Sequence, residues 1–351
     1  MNEYTELLEK LVRCKSVTSD PAAVGEAEEI MRGFLEQHGI GCTMEFVCGR
    51  KVLYASTMPG KIQDFLFNAH LDVVPADDAM FEPAVEDGII HCRGCHDCKG
   101  GAVAIAKILC ELKGRASASA IFSADEEAGG DTTLGMVKLG YSAKKAIIII
   151  DGSQNEIAYS QKGIVVAILT AKGRGGHASD PWAFDNPIDK LIDGYTKIRR
   201  AWPAAPADKW GDSMAATIIS AGSVANQIPD TASMTLNIRF IRPGDEAGIV
   251  KWLGEISGLE ISTGEICIPY SAPADTPLFT GLKKILEEKL PCKEIKLTRM
   301  LGATDARHFV SCGIPIAIIG LEGGGAHSVN EHLRLDSIRE YADALSSYCL
   351  L

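Results

Sequence analysis

The sequence predicts an α/β protein: a mostly parallel sheet flanked by helices, interrupted by an inserted α+β module of ferredoxin-like order. Three observations carry this expectation. The short apolar runs FLFNAH, ASAIFSA, AIIII and PIAIIG are separated by helix-length segments, the pattern of strands buried on both faces. From Gly163 the rhythm changes to strand, helix, strand, strand, helix, strand, the order of a split β-α-β unit. After PYSAPADTP the first rhythm resumes, so residues 163–270 read as an insertion between 1–162 and 271–351.

Each element has a local reason. Tyr4, Leu7, Leu8, Leu11 and Val12 recur at helical spacing and predict a first helix. Asp20-Pro21 is a cap and first-turn signal for a second, whose apolar face Ala27, Ile30, Met31, Phe34 and Leu35 ends at Gly39. Strands are expected near 42–47 and 52–57, a turn at Pro59-Gly60, a hairpin near Gly88 and a helix after Gly100-Gly101. In the insertion, strands are expected over 164–172, 215–221, 232–241 and 260–268. Its helices are expected after the Asn186-Pro187 cap and over 245–257.

Composition narrows the function. The net charge of −11, with no Lys/Arg-rich stretch, argues against nucleic acid as a partner. No apolar run approaches the roughly 20 residues that span a bilayer, and the first helix lacks the apolar core of a secretion signal. The eleven cysteines are odd in number and scattered through apolar segments, which fits a reducing cytoplasm better than a disulfide scaffold.

Four apolar runs lead into candidate ligands: His70, the pair Glu126 and Glu127, Asp151, and His327. Open α/β sheets gather ligands at the carboxyl ends of their strands, so residues far apart in sequence can converge. His70 and Asp72 alternate onto one strand face, which suits a metal ligand and the carboxylate that orients it. Asp125, Glu126 and Glu127 repel one another unless cations or protons relieve them. A dinuclear centre resolves the repulsion, with one Glu on metal and the other holding the proton of an attacking water. Asp97, read as opening a helix after Gly94, supplies a further carboxylate.

The segments AHLDVVP, RGCHDCKGG, SADEEAGG, IIDGS, GRGGHAS, NQIPD, LNIRF, GATDARHF and AHSVNEHL run in one order along nearly the whole chain. In them the sequence resembles the zinc-dependent amidohydrolases that include aminoacylase, glutamate carboxypeptidase, succinyl-diaminopimelate desuccinylase and the carnosinase-like dipeptidases. The resemblance implies two zinc ions, with cobalt or manganese as alternatives. His70 and Asp151 would hold one ion and Glu127 and His327 the other, with Asp97 bridging, often before a cis peptide. It implies Asp72 as the residue steering His70, Glu126 as general base and His177 as the group that stabilises the oxyanion. Asn226, Arg239 and Thr304 match positions that grip substrate polar groups.

The inserted module corresponds to a lid through which family members form homodimers. Asp151 stands where carboxypeptidases and deacylases usually carry Glu and dipeptidases carry Asp, so hydrolysis of short peptides is expected first. Removal of an N-acyl group from an amino acid is the alternative.

Two other readings compete with this one. Cys92-Arg-Gly-Cys95-His96 fits a haem attachment pattern, and Cys92, Cys95 and Cys98 have iron-sulfur spacing. Haem attachment needs export, however, and position 102 is Ala where a fourth ligand would fall. A non-catalytic metal-binding protein would need neither Glu126 nor His177. Cys98 is read as packing, with a softer metal contact as the alternative, His38, His91, His308 and His332 as structural or surface residues, and Arg307 as a surface charge or a substrate contact.

Overall fold

The apolar runs form the centre of a sheet because they are apolar on both faces. Ile147, Ile148, Ile149 and Ile150 are all at most 2% exposed, and burying each such side chain contributes roughly 1.5–3 kcal/mol before entropy is counted. A computed structural model describes residues 3–291 and 294–351, so Cys292 lies outside the described residues. The chain divides into two compact units, one of Met1–Ser160, Ser271–Met300 and Thr304–Leu351, the other of Gln161–Tyr270 and Leu301–Ala303.

The first unit is built on a nine-stranded sheet. Its order is Gly41–Val47, Arg50–Ser56, Ala118–Ser123, Ile62–His70, Ser142–Gln154, Ile316–Gly320, Glu156–Gln161 and Tyr270–Ser271, with Lys296–Met300 beside Glu156–Gln161. The four central strands, Ala118–Ser123 to Ile316–Gly320, run parallel, and antiparallel strands flank them. Helices Glu3–Arg13, Pro21–Gln37, Gly100–Leu112, Pro277–Lys289 and Leu335–Cys349 supply buried side chains to its core. The helix Pro21–Gln37 starts where expected because the Asp20 carboxylate accepts the N–H groups of Ala22 and Ala23, both at 3.1 Å.

Register brings the ligands together. His70 pairs with Ser123 across one parallel ladder, which puts Glu126 and Glu127 just beyond it. In the other ladder Asn68 lies opposite Ile149, two residues before His70 and Asp151 respectively. Asp151 differs from expectation in one respect: it lies inside the strand Ser142–Gln154, which continues past it by way of an irregularity against Gly320. Asp97 also differs. It sits in an irregular turn, Cys95–Lys99, with non-helical φ −117° and ψ 90°, and the regular helix begins only at Gly100. The peptide Asp97–Cys98 is cis.

Gly101 lets that helix approach the Asp151 strand, and Gly100 lets it follow closely on the Cys95–Lys99 turn. A Cβ at Gly101 would lie 2.4 Å from the Ile150 carbonyl oxygen, and one at Gly100 would lie 2.4 Å from that of Cys95.

The second unit contains a four-stranded antiparallel sheet ordered Ser213–Ala221, Thr231–Phe240, Gly163–Lys172, Glu260–Cys267. Helices Pro187–Ala201 and Glu246–Ser257 bury Leu191, Ile198 and Leu253 against Val165, Leu169, Leu236 and Ile238. Asn186 caps the first helix by accepting the Ile188 N–H at 3.0 Å. Along Thr231–Phe240 the alternate residues Ser233, Thr235, Asn237 and Arg239 point away from the helices and are half-buried.

Overpacking at Gly101 tests the close approach. Gly101→Ala is expected to cost about 1–3 kcal/mol in denaturant unfolding, because the clashing atom is backbone and cannot swing away. An unchanged unfolding midpoint would show that the helix can move aside freely.

Candidate metal centre

Asp97 is the hub of the residues brought together in the first unit. Its Oδ1 lies 2.9 Å from His70 Nε2, and its Oδ2 lies 3.2 Å from His327 Nε2. Each oxygen of one carboxylate therefore faces a different imidazole. His327 Nε2 is also 3.0 Å from the Glu127 carboxylate. Donor atoms of His70, Asp97 and Glu127 all fall within 4.8 Å of one another, as do those of His70, Cys98 and Asp151. Separations near 3 Å are those between two ligands about 2.0–2.2 Å from a shared ion. Imidazole with carboxylate suits zinc, cobalt or manganese, so these residues fit the divalent pair that the sequence implies.

His70 is oriented from behind. Its Nδ1 lies 2.8 Å from the Asp72 carbonyl oxygen and 3.4 Å from the Asp72 carboxylate, so the backbone makes the shorter contact. The Asp72 carboxylate is fully buried and accepts the Thr18 hydroxyl at 2.7 Å and the N–H groups of Glu126 and Glu127 at 3.1 and 3.3 Å. It therefore fixes the turn carrying both glutamates as well as the imidazole.

Electrostatics point the same way. Burial opposes ionisation of Asp97, but the bonds from His327 and His70 outweigh it and hold the carboxyl well below its usual range. His327, bonded to Asp97, is pushed up to about 9. Burial would lower His70, yet its contacts with Asp72 and Asp97 help to raise it well above an ordinary imidazole. Burial and the charge of Asp97 push Asp151 up strongly. Burial, then repulsion from Asp305, lifts Glu126 to about 8, and burial raises Glu127. The cluster thus retains protons that a cation would replace.

Two buried groups hold this constellation in place. Glu331 is 1% exposed and accepts Arg93 Nη1 at 2.5 Å and the backbone N–H groups of His96 and Asp97 at 3.1 and 3.2 Å. Asp305 accepts the hydroxyls of Ser123 and Thr133, both at 2.6 Å, and so ties its own segment to the strand end. That segment carries Arg307, whose Nη1 is 3.3 Å from Glu126 Oε1. Arg307 is 5% exposed and paired, not a surface charge. Thr304, 1% exposed, accepts the Ala306 N–H at 3.2 Å.

His177, Asn226 and Arg239 belong to the second unit. His177 is exposed on a short strand paired with Gln227–Ile228, and its Nδ1 lies 2.8 Å from the Ser179 hydroxyl. Asn226 is exposed, and its carbonyl accepts the Ala178 N–H at 3.0 Å. Arg239 Nε donates to Asn237 Oδ1 at 2.9 Å.

The sequence profile of peptidase family M20/M25/M40 matches residues 66–350. The chain belongs to that family. It is 30% identical over 374 residues, 96% of each chain, to a succinyl-diaminopimelate desuccinylase of Roseobacter denitrificans. Among solved structures it resembles an M20 family metallo-carboxypeptidase of Sulfolobus solfataricus, with TM-score 0.86, 16% identity and full coverage of both chains. It also resembles a tripeptidase of Staphylococcus aureus, with TM-score 0.82, 16% identity and coverage of 99% of this chain and 97% of that one.

For this M20 chain, sequence reasoning passed over Thr18, Arg93 and Glu331. The last two lie inside the quoted segments RGCHDCKGG and AHSVNEHL, but nothing in their spacing announced a pair 238 residues apart.

Two measurements follow from the electrostatics. Since His327 is bonded to Asp97 and pushed up to about 9 in metal-free protein, cation affinity should rise with pH through that value. Chelator competition across the pH range reads this directly, and a pH-independent affinity would contradict it. Arg93→Met should cost about 3–5 kcal/mol in unfolding free energy, because Glu331 would be left buried and uncompensated. Removing both charges together should cost less than the sum of the two single removals, and strictly additive costs would mean the pair is not coupled.

Proposed function

We propose that the protein is a dizinc hydrolase of C–N amide bonds whose preferred substrates are short unblocked peptides. The observation that carries this reading is the Asp97 carboxylate presenting one oxygen to each of two histidines. His70 and Asp151 would hold one ion and Glu127 and His327 the other, with Asp97 between them; cobalt or manganese could replace zinc. When bound, such a pair supplies Lewis acidity for the scissile carbonyl and lowers the pKa of a shared water.

The chain's own residues do the remainder. Glu126 takes the proton of the attacking water and passes it to the leaving amine. Arg307 holds Glu126 Oε1 and limits its rotamers. Asp72 orients His70 and the Glu126–Glu127 turn. His177 is assigned to the oxyanion: Ser179 engages its Nδ1, which leaves Nε2 to donate. Asn226, Arg239 and Thr304 are assigned to polar groups of the substrate.

A second reading, N-acyl-amino-acid deacylation by the same centre, is favoured by the desuccinylase named above. Asp151 in the position discussed for dipeptidases favours peptides. We also assign the protein to the cytoplasm, a reading supported by ten free cysteines among the described residues. Among those residues no helix is long and apolar enough to cross a membrane.

The second unit is read as a lid and dimerisation module. Its edge strand Ser213–Ala221 is exposed over most of its length, with Ile218 and Ile219 each 62% exposed, and offers unpaired backbone to a second copy.

Metal-loaded protein assayed on dipeptides, tripeptides and N-acetyl or N-succinyl amino acids separates the two readings. Faster turnover of unblocked peptides supports the first, and preference for acylated amino acids replaces it with the second. Glu126→Ala should lower turnover about 10²- to 10⁴-fold with metal content unchanged. A fully active variant would remove Glu126 from the mechanism. Ile218→Lys with Ile219→Lys should shift a dimer to monomer in sedimentation, whereas an unchanged species would place the interface elsewhere.

A further inference from the structure

We infer that Cys98 supplies a sulfur donor to the cation held by His70 and Asp151, making that half of the centre a His–Asp–Cys site. The inference rests on the two-metal reading above and adds a ligand to it. Its geometric basis is the convergence of His70, Cys98 and Asp151, whose donor atoms lie within 4.8 Å of one another.

The surroundings of the sulfur match the role. Cys98 is fully buried, and the His70 backbone N–H donates to its Sγ at 3.1 Å. The thiol donates to the His70 carbonyl oxygen at 3.6 Å. Sγ thus keeps an N–H directed at it whether or not it carries its proton, and such an N–H is the supporting contact that a metal-bound thiolate uses. Asp151 makes the complementary argument. Among the described residues no hydrogen bond or ion pair engages its carboxylate, which is half-buried after a run of isoleucines. A carboxylate partly withdrawn from water without a partner is unfavourable, and a cation between it and the sulfur offsets that cost.

The neighbouring cysteines are arranged differently. Cys95 donates to the Cys92 carbonyl oxygen at 2.9 Å, so its thiol proton already has a partner. Neither Cys92 nor Cys95 falls in a group of converging donors. They serve as internal controls.

The chemistry balances without an oxidant. The S–H bond of Cys98 breaks, its electron pair goes to the cation, and the proton passes to solvent. A thiolate donor biases that half of the centre toward zinc and cobalt and away from manganese.

Cobalt(II) titrated into metal-free protein under nitrogen tests the assignment. Wild-type protein should develop sulfur-to-cobalt charge-transfer absorption in the near ultraviolet together with visible ligand-field bands. Cys98→Ser and Cys98→Ala should keep the visible bands and lose the charge-transfer band, while Cys92→Ser and Cys95→Ser retain both. In competition titrations Cys98→Ser should weaken zinc by about 10- to 100-fold and leave manganese nearly unchanged. Visible bands without charge transfer in wild-type protein would overturn the sulfur ligand and leave the two-metal reading standing. No cobalt binding at all would overturn both. If the Cys98 variants do not fold, the cadmium NMR spectrum of the wild-type protein decides, because sulfur ligation shifts the resonance far from that of a purely nitrogen and oxygen site.

Discussion

One carboxylate placed between two imidazoles is the constraint around which the first unit is arranged. Asp97 lies on an irregular turn, His70 at a strand end and His327 on a distant loop, and their separations of 2.9 and 3.2 Å leave little freedom. The surrounding structure secures each element separately. Glu331 accepts the Asp97 N–H, Asp72 backs His70 and the glutamate turn, and Asp305 ties the Arg307 segment to the sheet. Every one of these supports is a buried carboxylate accepting hydrogen bonds. Three buried supports together with the carboxylates of Asp97, Glu127 and Asp151 crowd like charge into a small volume, which is tolerable only with protons or cations nearby; Arg93 and Arg307 supply two of them, and bound metal would supply the rest.

The electrostatics and the packing depend on each other. Glycine at position 101 allows the helix that follows Asp97 to lie directly on the strand that carries Asp151. Burial beside that approach raises the pKa of both Asp151 and Cys98, so in metal-free protein it favours their protonated, uncharged forms.

Much of this was legible in the sequence for physical reasons. Strands buried on both faces read as unbroken apolar runs, so the four central strands and the residues at their ends stand out. Asp20-Pro21 and Asn186-Pro187 announce helix starts because capping chemistry is local. The exact course of the chain at Asp97 and Asp151 was less legible. A helix was expected to open at Asp97, but its backbone is held by Glu331 through contacts that no local pattern encodes. Asp151 was expected at a strand end, but parallel pairing carries the strand beyond it. Arg307 illustrates the same limit. Its partner, Glu126, is 181 residues away, so spacing alone could not distinguish a surface charge from a group touching the candidate base.

The discontinuity of the first unit has a consequence for how the protein is made. His70, Asp97, Glu127 and Asp151 precede the segment Gln161–Tyr270, whereas Arg307, His327 and Glu331 follow it. A nascent chain that has just completed Asp151 holds a crowd of carboxylates with neither the second imidazole nor the acid that braces the Asp97 turn. On the ligand set proposed above, only a chain translated past the whole intervening unit would carry every residue that holds the two ions, and truncated products would lack part of the set.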